Sequence, residues 1–184
     1  MITYETEQQF IDISTVQFDG RILDIGGGGE GVIARHSCNA VVAIDIHKEE
    51  LEEAPDICLK IVMDACNLMF LDSSFETITC FFSLMYMSEK EVRAFLKEAK
   101  RVLKQNGALW IWDIEIPPET DTNIFAAQLK IKISDDSIVT TGYGVAVTRS
   151  QSMKSIRALC EAEAFSIENE VKSGQSFMLL LRKE

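Results

Sequence analysis

The chain has 184 residues, room for a single domain with a sizeable core, and 47% of them are hydrophobic. Its formal charge is −11, with 29 acidic against 18 basic residues, so its overall field repels nucleic-acid phosphates. No apolar run reaches the ~18 residues of a membrane span. The amino terminus, Met-Ile-Thr-Tyr-Glu-Thr-Glu, lacks the features of an export signal, so the expected location is cytoplasmic.

In chain order, residues 4–14 read as a short helix that precedes the core. Residues 20–25 are an apolar strand running into Gly26-Gly27-Gly28-Gly29, and a helix is expected near 30–37. Glycine has no Cβ, so a backbone there can turn sharply and lie against a ligand. In a βαβ unit such a loop binds a nucleotide-like cofactor at the carboxyl ends of the strands, although a purely structural turn uses the same residues. The next strand, 40–45, ends in Asp45. That is about 20 residues past the start of the loop, where a Rossmann-type site places the acid that meets ribose hydroxyls. Asp45 could instead cap the helix that follows at 48–54. Asp24 stands two residues before Gly26, so the loop reads Asp-x-Gly-x-Gly. A carboxylate near the loop would oppose a pyrophosphate and favour a cationic ligand; S-adenosylmethionine, with an ammonium and a sulfonium, is one.

Strands follow at 58–63, 76–82 and 108–115, with a helix at 88–103. Ser88 and Glu91 form a capping-box pair, Val92, Phe95, Leu96, Ala99, Val102 and Leu103 make one apolar stripe, and Asn106-Gly107 ends the unit. Alternating β and α units imply a parallel sheet covered by helices. Leu129 to Ile133 alternates, Ser134-Asp135-Asp136-Ser137 turns, and 138–141 resumes, which predicts an antiparallel hairpin over 125–147. A helix over 152–164 and two strands, 166–172 and 176–182, complete the chain.

Taken together, this order of motifs resembles the class I S-adenosylmethionine-dependent methyltransferases, in particular the type 11-like group, over nearly the whole chain. Ile22-Leu23-Asp24-Ile25-Gly26-Gly27-Gly28 is similar to the glycine-loop motif, and Ala43-Ile44-Asp45-Ile46 to the ribose strand. Asp64-Ala65 is similar to the pair that meets adenine, and residues 74–80 and 101–109 to the units around the fourth and fifth strands. The resemblance implies a Rossmann-like, seven-stranded, mostly parallel sheet with helices on both faces and an antiparallel last strand. It implies one domain over 1–184, with the hairpin as an insertion at 124–148. It also implies S-adenosylmethionine as cofactor, held by Asp24, Gly26, Gly27, Gly28, Asp45, Ile46, Asp64, Ala65 and Phe81. Glu30 departs from the pattern, since many relatives have glycine there.

The acceptor side carries no comparable motif. Candidates for a base or contact residue are Tyr86, Asp113 and Glu115, at the ends of the fourth and fifth strands, with Tyr4 and Tyr143 as weaker lid residues. An acceptor pocket is expected between those strand ends and the hairpin, with the two acids favouring a neutral or cationic acceptor. Asp113 as a solvated strand end and Tyr86 as a packing residue are the structural alternatives. The five cysteines form no Cys-x-x-Cys pair and the two histidines lack ligand spacing, so no metal is expected. The segment after the fourth strand, Phe81-Phe82-Ser83-Leu84, lacks the Pro-Pro-aromatic signature of base-amino methyltransferases. A small-molecule acceptor is therefore favoured, with neither nucleic acid nor membrane as partner, in a monomer or homodimer. A non-catalytic binding module and a nicotinamide-dependent oxidoreductase remain as alternatives.

Overall fold

The β-branched runs of the sequence form a seven-stranded sheet in the computed structural model, which describes residues 3–118 and 124–184. In chain order the elements begin with β1 (Thr3–Glu5), β2 (Gln9–Asp12), β3 (Ile22–Ile25), α1 (Val32–Ser37) and β4 (Val41–Asp45). They continue with α2 (Lys48–Glu53), β5 (Leu59–Val62), β6 (Phe75–Phe81), α3 (Glu89–Val102) and β7 (Leu103–Ile114). Then come β8 (Ile124–Ser134), β9 (Ser137–Ala146), α4 (Met153–Ala162), β10 (Phe165–Ser173) and β11 (Ser176–Lys183).

The large sheet has the order β10-β11-β7-β6-β3-β4-β5. Strands β3 to β7 are mutually parallel, and β11 runs antiparallel to both of its neighbours. The chain leaves β3 for β4 on one side and returns through β6 on the other. The crevice at the carboxyl ends of β3 and β6 is therefore a topological switch point, the place where open α/β sheets bind ligands.

Each face of this sheet buries its own apolar layer. One face packs under α3 and α4 through Val92, Phe95, Leu96, Ala99, Ile156 and Cys160. Helix α3 starts as its sequence dictates: Ser88 Oγ accepts from the Glu91 N–H, and Glu91 Oε2 accepts from the Ser88 N–H at 2.7 Å. Such a cap stabilises a helix by about 1 kcal/mol.

The opposite face is covered by α1, by Leu51 of α2 and by a second sheet in which β8 is flanked by β1 and β2 on one edge and β9 on the other. Along β8, Phe125, Ala127, Leu129, Ile131 and Ile133 point inward in strict alternation. This sheet corrects the reading of 4–14. That segment is no helix: β1 and β2 pair in parallel with β8. The reason lies in the sequence, because Gln9, Ile11 and Ile13 are buried while Phe10 and Asp12 are exposed, a period of two rather than 3.6. The strand expected at 108–115 also begins earlier, at Leu103, and absorbs Asn106 (φ 62°) in an irregular register against β6.

Candidate functional site

Four short segments converge at the switch point. The glycine loop leaves β3 with Gly26 at φ 67°, and a Cβ there would lie 2.3 Å from Ser83 Oγ, so only glycine lets the loop close on the segment after β6. The loop is tied to its neighbours by backbone bonds, from Gly27 N–H to the Ile44 carbonyl at 3.0 Å and from Gly29 N–H to the Glu50 carbonyl at 2.8 Å. Gly28 packs on α2 so closely that a Cβ would meet Glu50 Cβ at 2.5 Å. Ser83 donates to the Ile25 carbonyl at 3.0 Å, fastening the ends of β6 and β3 together.

A cavity of about 620 Å³ opens above these ends. Its floor is Ile25, Ile44 and the loop, and one wall is Asp45, Ile46 and His47 with Glu50 and Glu53. A second wall is Met63, Asp64, Ala65 and Cys66; a third is Phe81, Phe82, Ser83, Tyr86 and Met87. Gly142, Tyr143 and Gly144 of β9 close it from above. Asp45 Oδ1 accepts from the His47 N–H at 2.8 Å, while its Oδ2 faces Gly28. Asp64 Oδ1 accepts from the Cys66 N–H at 2.8 Å in the same manner. Both carboxylates are thus aimed by the turns that follow their strands. The cavity lining contains carboxylates and one histidine but no Lys or Arg among the described residues. A more open depression lies at the amino ends of the strands, around Arg21, Leu59 and Glu76, away from all of these groups.

The expected cofactor residues therefore divide into two sets. Gly26, Gly28, Asp45, Ile46, Asp64, Ala65 and Phe81 line the cavity. Gly27 and Asp24 lie outside its lining. Asp24 is buried beneath the loop, where Oδ1 accepts from the Thr79 hydroxyl at 2.7 Å and Oδ2 would crowd any side chain at Gly27. Burial raises its pKa to about 7, the Thr79 bond opposes the shift and the Asp45 charge adds to it. Asp24 supports the loop from behind; the carboxylates that line the cavity are Glu30, Asp45, Glu50, Glu53, Asp64 and Glu91.

The acceptor candidates divide as well. Tyr86 lines the cavity at 53% exposure. Partial burial and the nearby Asp113, Glu50 and Glu30 push its hydroxyl up to about 12, so at neutral pH it is a protonated donor rather than a base. Asp113 and Glu115 are not at the cavity mouth. Asp113 is fully buried and accepts from the Met85 N–H, the Ile114 N–H and Gln151 Nε2, with burial raising its pKa to about 7. It fixes the turn that carries Tyr86, and Gln151 links it to Arg149, which donates to the Leu84 and Met87 carbonyls. Glu115 pairs with Lys172 at 2.6 Å and accepts from the Met153 N–H. Alternation placed both acids at the end of their strand, but β11 covers that strand on its far side from the cavity.

Glu30, Phe82 and Tyr143 carry a larger part of the wall than the sequence suggested. The departure from glycine at position 30 was the available signal. Its carboxylate accepts from the hydroxyls of Thr141 and Tyr143, the latter at 2.8 Å, and so joins the glycine loop to β9.

Comparison with known proteins agrees with this geometry. Residues 23–111 match the family described as a methyltransferase domain. A stretch of 60 residues is 45% identical to the demethylmenaquinone methyltransferase of Thermotoga maritima, covering 33% of this chain and only 25% of that protein. The fold is shared with an S-adenosylmethionine-dependent methyltransferase from Aquifex aeolicus, with a TM-score of 0.66 and 17% identity over 92% of this chain and 85% of the other. It is also shared with one from Methanosarcina mazei, with a TM-score of 0.63 and 21% identity over 91% and 94% of the two chains.

Proposed function

We propose, from the match of residues 23–111 to a methyltransferase domain, that the protein is a class I S-adenosylmethionine-dependent methyltransferase and transfers the methyl group of S-adenosylmethionine to a small-molecule acceptor. The observation that carries the reading is the switch-point cavity itself: a glycine loop faced by Asp45 and Asp64, with no Lys or Arg in the described lining to meet a pyrophosphate. In this reading Asp45 takes the ribose hydroxyls, Asp64 and Ala65 meet the adenine, and Ile46 and Phe81 supply apolar contact. Gly26 and Gly28 let the backbone approach, while Asp24 and Gly27 hold the loop from beneath.

The bound cofactor supplies a methyl group already activated by its sulfonium, so the chain's task is to align the acceptor behind that carbon and limit water. In this reading Tyr86 and Tyr143, which line the cavity, take that task. The reading takes residues 1–184 as one domain with 124–148 inserted. The acidic balance argues against a nucleic-acid acceptor, and no helix among the described residues is long and apolar enough to cross a membrane.

The test is release of S-adenosylhomocysteine from S-adenosylmethionine with a pooled small-molecule extract, with DNA, and with RNA. Release with the extract alone is the expected result; release that requires nucleic acid would overturn the choice of acceptor.

A further inference from the structure

Two hydroxyls of β9 and one carboxylate of the glycine loop meet at the upper wall of the cavity. Tyr143 donates to Glu30 Oε2 at 2.8 Å and Thr141 donates to Oε1. Each hydroxyl has one proton, and both protons are committed to Glu30. What Tyr143 and Glu30 still offer to the cavity is lone pairs, since a carboxylate has about four acceptor positions and these bonds use two. The half-exposed ring of Tyr86 lines the same cavity, and the buried ring of Phe82 backs Tyr143, 5.9 Å apart between centroids. Two guanidinium groups on neighbouring segments are occupied elsewhere: Arg35 donates to the Glu30 carbonyl, and Arg149 to Leu84, Met87 and Gln151. A wall of acceptors and aromatic faces, with no fixed cation, is matched by a ligand that brings N–H donors and positive charge.

We infer that Glu30 and Tyr143, with Tyr86, determine acceptor specificity, and that the acceptor is a small amine with an apolar or aromatic portion. The inference rests on the methyl-transfer reading above. An acceptor arriving as an ammonium first releases one proton to solvent. The freed nitrogen lone pair then forms the N–C bond while the C–S bond breaks and its electron pair stays on sulfur. The products are a methylated ammonium and neutral S-adenosylhomocysteine, with one proton released per turnover. Carboxylated and phosphorylated acceptors meet Glu30 with no Lys or Arg in the described lining to offset it and are disfavoured by repulsion.

The test is calorimetric titration of protein saturated with S-adenosylhomocysteine, using 2-phenylethylamine, 2-phenylethanol and phenylacetate as probes of similar shape. The amine is expected to bind about tenfold more tightly than the alcohol, the equivalent of one charge-assisted hydrogen bond, with phenylacetate weakest. In Glu30→Gln, which keeps the size of the side chain, the amine preference is expected to fall below about threefold. Equal affinities, a preference for phenylacetate or no binding of the amine would overturn the inference. So would an undiminished preference in a Glu30→Gln protein that melts cooperatively; if that variant does not fold, the three-probe series on the unaltered protein decides alone. Failure of S-adenosylhomocysteine itself to bind would overturn the methyl-transfer reading and this inference with it.

Discussion

The two sides of the cavity are built by different kinds of contact. On the proposed cofactor side, Asp45 and Asp64 are each aimed by a backbone N–H two residues further on, and the glycine loop is bonded to β4 and α2, beyond α1 in the chain. On the acceptor side, Glu30 holds Tyr143 and Thr141 from 113 and 111 positions away. The first side is built within the parallel sheet, its two carboxylates aimed by adjacent turns; the second exists only once the hairpin has docked. Local geometry suits a ligand with an invariant shape, whereas a docked wall can be exchanged without disturbing the sheet beneath it.

The strongest way to break the cofactor side is Gly28→Val. The new Cβ would lie 2.5 Å from Glu50 Cβ and 2.9 Å from its carbonyl carbon. We expect S-adenosylhomocysteine binding to vanish and stability to fall by about 1–3 kcal/mol, the usual range for overpacking. Calorimetry together with thermal unfolding reads both effects, and retained affinity would show that the loop does not contact the ligand.

Asp45→Ala should weaken binding by about 1.5–3 kcal/mol, the range for hydrogen bonds to a charged group. Melting should change less, because the native structure loses only the bond to the His47 N–H. If melting falls and affinity holds, Asp45 serves as a turn residue and the cofactor side has been misassigned.

Asp24 tests what lies beneath that side. Its folded pKa of about 7 stands above the ordinary 3.8, so the associated stability is complete below about pH 4 and is lost as pH rises through 7. Between pH 5 and 7 the unaltered protein should lose about 1–2 kcal/mol relative to Asp24→Asn, read as the difference between their urea midpoints at each pH. Taking that difference removes the other titrating groups, Asp113 included, whose raised pKa acts in the same direction. Parallel midpoints would mean that Asp24 is ionised throughout.

The smallest effect belongs to the acceptor side. Tyr143→Phe removes one of the two bonds to Glu30 and should cost about 1 kcal/mol. Amide exchange should accelerate along β9 and remain unchanged in β3 and β4. Uniform acceleration would indicate that the hairpin is not a separate docked unit.

The same contrast explains what the sequence revealed. The parallel strands, the capped α3 and the loop with Asp45 and Asp64 were legible because each is written in a contiguous run with its own period or spacing. Residues 4–14 were misread because the buried Gln9 interrupts an apolar alternation that needs β8 as its partner. Asp113 and Glu115 share a strand end, yet nothing local reveals that Gln151 and Lys172 would claim them. Asp24 was correctly tied to the loop but not to its depth, since Thr79, which holds it, lies 55 residues away. Glu30 stood out only as a departure, and its meaning depended on a hairpin more than a hundred residues downstream.

The most direct test of the central claim is calorimetric titration of the unaltered protein at neutral pH with S-adenosylhomocysteine and, separately, with NADH. A cavity that pairs Asp45 and Asp64 with a glycine loop and has no Lys or Arg in its described lining should bind S-adenosylhomocysteine at one site per chain and NADH far more weakly. Tighter binding of NADH than of S-adenosylhomocysteine would contradict the account.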